Sequence, residues 1–161
     1  MCTGLLKFYY RTADITPLFD KTDLTANAAH CANEQGAFWQ MYNELFSSQM
    51  NWTELSHEGA TAYFVDVVAS QLGLNQEQLA QCIAAMKYQK EVDKDKQALV
   101  DLDSISGGSY GIPFFVIILP KTGTDLGLLN SAAYLFGGSV LTGENSYILF
   151  AFKAIFDSYQ P

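Results

Sequence analysis

The stretch Asn27–Tyr42 reads NAAHCANEQGAFWQMY, and its pattern of apolar residues determines how the chain around it is interpreted. From Thr25 to Phe46, apolar side chains recur at spacings of three and four residues, as on one face of a helix. Gly36 interrupts this pattern, and an isolated glycine inside a helical pattern weakens it. The stretch therefore predicts a short helix that is followed, after a break, by a longer one.

Further helical patterns follow along the chain. Ala60–Leu72 and Gln76–Met86 each place apolar residues on one face. Gly73 suits the C-cap of the first helix, and Asn75 suits the N-cap of the second. Tyr88–Leu102 predicts a charged amphipathic helix with a sparse apolar face. The middle of the chain is therefore expected to be a block of helices.

Strand-like runs lie on both sides of this block. Leu5–Tyr10 (LLKFYY) and Phe114–Leu119 (FFVIIL) predict buried strands, and Tyr134–Val140 (YLFGGSV) predicts a weaker one. The last two follow each other closely, which predicts an antiparallel pair. Tyr147–Tyr159 predicts a final helix. The expected fold class is α/β, with the helices placed between the first and second strands.

Length and composition exclude several classes of protein. The chain has 161 residues, of which 49% are hydrophobic and 16% charged, and this suits one folded domain rather than a disordered chain. Its net charge of −8 argues against a nucleic-acid binder. The longest apolar run, Ile112–Leu119, is shorter than the roughly 18 residues of a membrane helix. No export signal follows Met1, so the chain taken literally is cytoplasmic.

The cysteines limit the chemistry that the chain can perform. Cys2, Cys31 and Cys82 are the three cysteines, and no two of them form a C-x-x-C pair. The position that would hold a second redox cysteine after Cys2 is occupied by Leu5. Their spacing from the two histidines fits no common zinc signature, so neither a metal nor another cofactor is predicted.

Four aromatic residues at helical spacing allow two interpretations. Phe38, Trp39, Tyr42 and Phe46 would lie along one side of the predicted second helix. Such a set is most often part of a core, which is the interpretation that the spacing favours. An exposed stripe that binds a peptide is the alternative.

Several segments share their residues and their order with one protein family. The E-Q-G-x-F-W motif at Glu34–Trp39, with its correctly spaced partners, is the most specific feature. From Leu5 onward the chain resembles the DsbA-like thiol–disulfide oxidoreductases over nearly its whole length. The matching segments are Asn27–Tyr42, Leu72–Tyr88, Gly111–Val116 and Gly137–Phe156.

The resemblance implies a fold and a substrate site. The fold would be thioredoxin-like, a single domain over residues 1–161, with a helical insertion at about 25–104 and a strand–strand–helix part at about 111–160. Pro113 matches the family's cis-proline, and Ile112 matches the residue before it. Ile112 and Pro113 would then pair with the backbone of extended or unfolded protein substrates, because a cis-proline turn leaves neighbouring backbone groups free.

The resemblance also implies a structural disulfide bond, which we call the staple, and a cellular compartment. A disulfide stabilises the insertion in some family members, which implies a bond between Cys31 and Cys82; two buried, reduced thiols are the alternative. The family is bacterial and extracytoplasmic, periplasmic or membrane-anchored. Its partners are protein substrates and a membrane redox protein.

The start of the chain departs from the family pattern. In the family, a strand and a CxxC helix precede the strand matched by Leu5–Tyr10, whereas four residues precede it here. No catalytic residue is therefore assigned. One expectation is that Met1 is an internal start and the chain is truncated. The other is a redox-inactive, thioredoxin-like module that binds peptides, so whether the chain is an enzyme is left open.

Overall fold

The computed structural model describes residues 9–12, 14–15, 18–106, 114–120 and 131–137. The chain divides into two compact units, Met1–Leu102 and Asp103–Pro161. The described elements of the first unit are helices, and those that lie wholly in the second are strands.

The helices of the first unit follow one another with short connections. Their bounds are α1 Thr22–Asn33, α2 Phe38–Ser47, α3 Gln49–Trp52, α4 His57–Ala62, π1 (a π-helical segment) Tyr63–Val68, α5 Ala69–Gln71, α6 Gln76–Ala84 and α7 Gln89–Ser106. The segments α4, π1 and α5 follow each other directly, so they form one helical rod with a widened middle.

The predicted helix ends are confirmed by local chemistry. The Asn75 side chain caps α6 by accepting a hydrogen bond of 2.9 Å from the backbone N–H of Gln78. Gly73, after α5, has a φ of +68°, a left-handed conformation in which glycine meets no steric penalty. Gly36 has a φ of +72° and separates α1 from α2, as the interrupted pattern predicts.

The core of the first unit is formed mainly by α1, α2, the helical rod and α6. Phe64, Met41 and Leu79 are its largest fully buried side chains. Trp52 stands against Phe64, with ring centroids 5.4 Å apart. The indole N–H of Trp52 donates to the carbonyl oxygen of Leu45 at 3.0 Å, so its polar atom is satisfied inside the core.

A disulfide bond connects two of these helices. Cys31 on α1 is bonded to Cys82 on α6, with the two Cα atoms 5.8 Å apart. The bond closes a loop with a sequence separation of 51. The staple that the family resemblance implies is therefore confirmed.

The second unit contains an antiparallel pair of strands, β1 (Phe114–Pro120) and β2 (Ser131–Gly137). Their register runs from Phe114 opposite Gly137 to Pro120 opposite Ser131. The antiparallel pairing is as predicted. The second strand begins three residues earlier than expected, because Ser131–Ala133 complete the ladder against the end of β1.

The α/β fold class is wrong for the part of the chain that the structure describes. The first unit is helical throughout its described elements, and the two paired strands form a hairpin of their own. Within the predicted strand Leu5–Tyr10, only Tyr9 and Tyr10 are described, and they are not in a strand. The LLKFYY run has strand composition, but Tyr10 packs its ring on α2, and in the described ranges no neighbouring strand pairs with its backbone.

Candidate functional site

The aromatic residues of α2 lie mainly at the surface. Trp39 is 47% exposed and Phe46 is 61% exposed, while Phe38 and Tyr42 are half-buried. Met41 and Leu45 take the buried face of the same helix. The core interpretation is therefore wrong for Trp39 and Phe46. Helical spacing places these rings close together around the helix, but the core covers mainly the adjacent face of Met41 and Leu45, and of the four rings Phe38 packs partly against it.

Tyr10 extends this aromatic surface. Its ring centroid lies 5.8 Å from that of Phe38, 5.7 Å from that of Trp39 and 5.0 Å from that of Tyr42. The contacts with Trp39 and Tyr42 are edge-on, which is favourable because ring edges are positive and ring faces negative. Burial, with a smaller contribution from Tyr42, raises the pKa of Tyr10, so its hydroxyl remains neutral.

The segment that carries Tyr10 is held by side chains of α1 and α7. The carboxylate of Asp95 binds Arg11 Nη1 at 2.5 Å and accepts from the backbone N–H of Thr12 at 3.2 Å. The hydroxyl of Thr12 lies 3.2 Å from Nε2 of His30. These contacts position the Tyr10 ring beside α2.

His30 lies at the centre of these elements. Its ring stacks on Tyr88 at 5.4 Å and meets Phe38 edge-on at 5.6 Å. Burial lowers the pKa of His30 below its ordinary value of 6.5, against the opposing effect of Asp95 and Glu91. The imidazole is therefore neutral at neutral pH.

Between these residues lies an open cavity of about 490 Å³, which we call the aromatic groove. Among the lining residues that the structure describes, none is an aspartate, glutamate, lysine or arginine. The groove can hold apolar or aromatic side chains, and Asn33 and His30 offer polar atoms beside them. Its lining residues are Tyr9, Tyr10, His30, Asn33, Gly36, Phe38 and Trp39.

A polar network fixes Tyr88, on which His30 stacks. The Glu34 carboxylate accepts hydrogen bonds from Lys87 Nζ at 2.6 Å, from the Tyr88 hydroxyl at 2.9 Å and from Gln78 Nε2 at 3.3 Å. The hydrogen bond from Lys87 is the main reason that the pKa of Glu34 is lowered. The network ties the end of α1 to the segment that follows α6.

Among the described residues, neither the disulfide nor a metal-binding cluster provides a second candidate site. Cys31 is 1% exposed and Cys82 is 6% exposed, so the disulfide is shielded from large reactants. The described ranges contain no group of histidine, cysteine or acidic side chains arranged to hold a metal ion. Among the described helices, none is both long and apolar enough to cross a bilayer.

The predicted substrate-binding residues, Ile112 and Pro113, lie outside the described residues, as does the predicted final helix. The structure brings together residues that the sequence pattern did not connect: Tyr10 and His30 line the same groove, and His30 stacks on Tyr88. Two sequence signals point to this region: the aromatic content of Leu5–Tyr10, which predicts a strand, and the aromatic spacing of α2, for which an exposed stripe is the alternative interpretation.

The half-buried imidazole of His30 makes stability depend on pH. His30 takes up a proton more readily in the unfolded chain than in the folded protein, because its folded pKa is lowered. The free energy of unfolding is therefore expected to fall as the pH drops through about 6.5, by at most about 1.4 kcal/mol per pH unit, until the folded pKa is passed.

Urea unfolding at several pH values between about 5.5 and 7.5 measures this effect, since carboxylates such as Glu34 titrate at lower pH. The matched variant is His30→Gln, in which this part of the slope should disappear. An equal slope in both proteins would show that His30 is not the responsible group.

Comparison with known proteins agrees with the family resemblance at a coarse level. A family model described as Thioredoxin matches residues 1–107, which is about two thirds of the chain. Neither the curated proteins nor the solved structures gave a match. The matched region includes the helical unit with its disulfide and the aromatic groove. Because the match extends over more than half of the chain, the chain belongs to the thioredoxin family that this model describes.

Proposed function

We propose that the chain takes part in DsbA-like protein thiol–disulfide exchange by holding an extended, unfolded polypeptide in the aromatic groove. The observation that carries this proposal is the open groove of about 490 Å³ in which Trp39 is half exposed beside Tyr10. Membership of the thioredoxin family supports a role connected with thiols.

The chemistry of the groove favours an unfolded partner. Unfolded chains expose the apolar and aromatic side chains that folded proteins bury. Rings of Phe38 and Trp39 can cover such side chains, while Asn33 and His30 can hydrogen-bond to the adjacent backbone. The Cys31–Cys82 disulfide supports an oxidising, extracytoplasmic compartment. A membrane redox protein as second partner belongs to the same proposal.

A second candidate is a module that binds polypeptide without redox chemistry of its own. The burial of both cysteines of the staple favours it, since a disulfide must be reached by a thiolate to exchange. The printed sequence contains no C-x-x-C pair. In both candidates the aromatic groove holds the polypeptide.

Oxidative refolding separates the two candidates. When the chain is added to a reduced, unfolded protein in a glutathione buffer, the module predicts no acceleration of disulfide formation. Acceleration that is lost in the double variant Cys31→Ala/Cys82→Ala would instead assign redox chemistry to the staple. Acceleration that is lost in Cys2→Ala would assign it to the third cysteine.

Replacement of Trp39 tests polypeptide binding itself. The probe is a reduced, carboxymethylated protein, which stays unfolded, with a fluorescent label for anisotropy. Trp39→Ala is expected to weaken binding about tenfold or more, because buried aromatic anchors contribute roughly 2 kcal/mol at interfaces.

The matched control is Phe19→Ala, which removes an aromatic side chain that is 63% exposed and does not line the groove. Its affinity should equal that of the unchanged protein. Equal losses in both variants would mean that binding uses exposed apolar surface in general, and an absence of binding would refute the proposal.

A further inference from the structure

The described residues that line the aromatic groove carry no formal charge, but their rings have an uneven distribution of charge. Aromatic rings carry negative charge on their faces, and four such rings line the groove: Tyr9, Tyr10, Phe38 and Trp39. Neutral His30 adds no positive charge to the lining. A cation in the groove would therefore lie among aromatic rings, and none of the described lining side chains would repel it.

The charges beside the groove are balanced, whereas the chain as a whole is acidic. A smaller recess of about 260 Å³ shares Tyr9, Tyr10 and His30 with the groove. In this recess the positive charge of Arg11 is balanced by Asp95. Of the other described lining residues, Glu91 carries a negative charge and Lys94 a positive one. The whole chain carries a net charge of −8, so it attracts basic polypeptides over longer distances.

We propose that the aromatic groove binds the arginine or lysine side chain of a basic, extended polypeptide. This inference rests on the proposed function and names the class of substrate. The cationic head would lie against the faces of Trp39 and Tyr10, and the aliphatic stem would cover the half-buried ring of Phe38.

The alternatives fit the groove less well. An acidic side chain would lie among electron-rich rings, with no cation among the described lining residues to receive it. A purely apolar side chain would fit the groove, but the net charge of −8 would not attract it. The aromatic lining of the groove and the net negative charge of the chain both favour a basic polypeptide.

Three short peptides that differ at one central position test the inference. The centre is arginine, citrulline or glutamate, with the same leucine-containing flanks, and citrulline keeps the shape of arginine without its charge. Calorimetric titration is expected to show that the arginine peptide binds about fivefold more tightly than the citrulline peptide, as one cation–π contact provides. The glutamate peptide should bind most weakly.

Two further measurements separate the groove from the general charge of the protein. In Trp39→Leu the preference for arginine over citrulline should shrink to less than about twofold, while Phe19→Ala should retain it. Raising NaCl from about 0.15 M to about 0.5 M should leave most of the preference, because contacts at short range are screened little.

The outcomes distinguish this inference from the proposed function. Equal affinities for the three peptides, with the unfolded protein still bound, would overturn the charge preference and leave polypeptide binding intact. A preference that persists in Trp39→Leu or vanishes in salt would assign it to the net charge instead. Failure of every peptide and of the unfolded protein to bind would overturn both.

Discussion

Without the Cys31–Cys82 disulfide, the first unit is expected to lose about 4 kcal/mol of its free energy of unfolding. The bond closes a loop with a sequence separation of 51, and a cross-link over such a loop restricts the unfolded chain strongly. It also joins α1 to α6, whose side chains form much of the core. The variant to measure is Cys31→Ala/Cys82→Ala, in which neither cysteine is left to mispair.

Urea unfolding, followed by far-UV circular dichroism, provides the measurement. Cys2→Ala is the matched control, since it removes a cysteine that takes no part in the bond. Adding a strong reductant to the unchanged protein should bring its unfolding midpoint close to that of the double variant. Identical midpoints with and without reductant would show that the bond does not stabilise the fold.

Truncating Phe64 to alanine is expected to cost about 3–5 kcal/mol. The side chain is fully buried on π1, and its ring meets that of Trp52 at 5.4 Å and that of Tyr63 at 6.4 Å. Removing it eliminates these contacts and leaves a cavity that the surrounding helices can fill only in part.

Phe46→Ala is the matched control for this truncation, because it makes the same chemical change at a side chain that is 61% exposed. Its free energy of unfolding should change by less than about 0.5 kcal/mol. If the two variants lost similar amounts of stability in urea unfolding, the core would not be centred on Phe64.

Features set by neighbouring residues could be predicted from the sequence. Asn75 caps the start of α6 through a local hydrogen bond, and Gly73 follows the end of α5 in a left-handed backbone conformation. The residue types predict both features directly. The antiparallel pairing of β1 with β2 followed from two short apolar runs close together in the chain. The Cys31–Cys82 pair followed from the family resemblance and not from the spacing of the cysteines.

Features set by distant parts of the chain could not be predicted. Whether the Trp39 ring faces the core or the surface depends on which side of α2 the other helices cover. Tyr9 and Tyr10 belong to a run with the composition of a strand, but these two described residues are not in a strand, which forms only where another backbone pairs with it. His30 and Tyr88 stack because α1 and the segment before α7 are adjacent in the fold, and nothing in either local sequence indicates this.

The proposed role of the aromatic groove depends most directly on where a polypeptide touches the protein. The two tryptophans allow a test, because their indole N–H groups give separate signals in a proton–nitrogen correlation spectrum. Trp39 lines the groove, whereas the indole N–H of Trp52 donates to the carbonyl oxygen of Leu45 in the core.

Titration of the labelled protein with the unfolded, carboxymethylated polypeptide should shift the Trp39 indole signal in proportion to the bound fraction. The Trp52 signal should stay where it is. A Trp39 signal that does not move while anisotropy shows the polypeptide to be bound would contradict the assignment of this groove as the binding site.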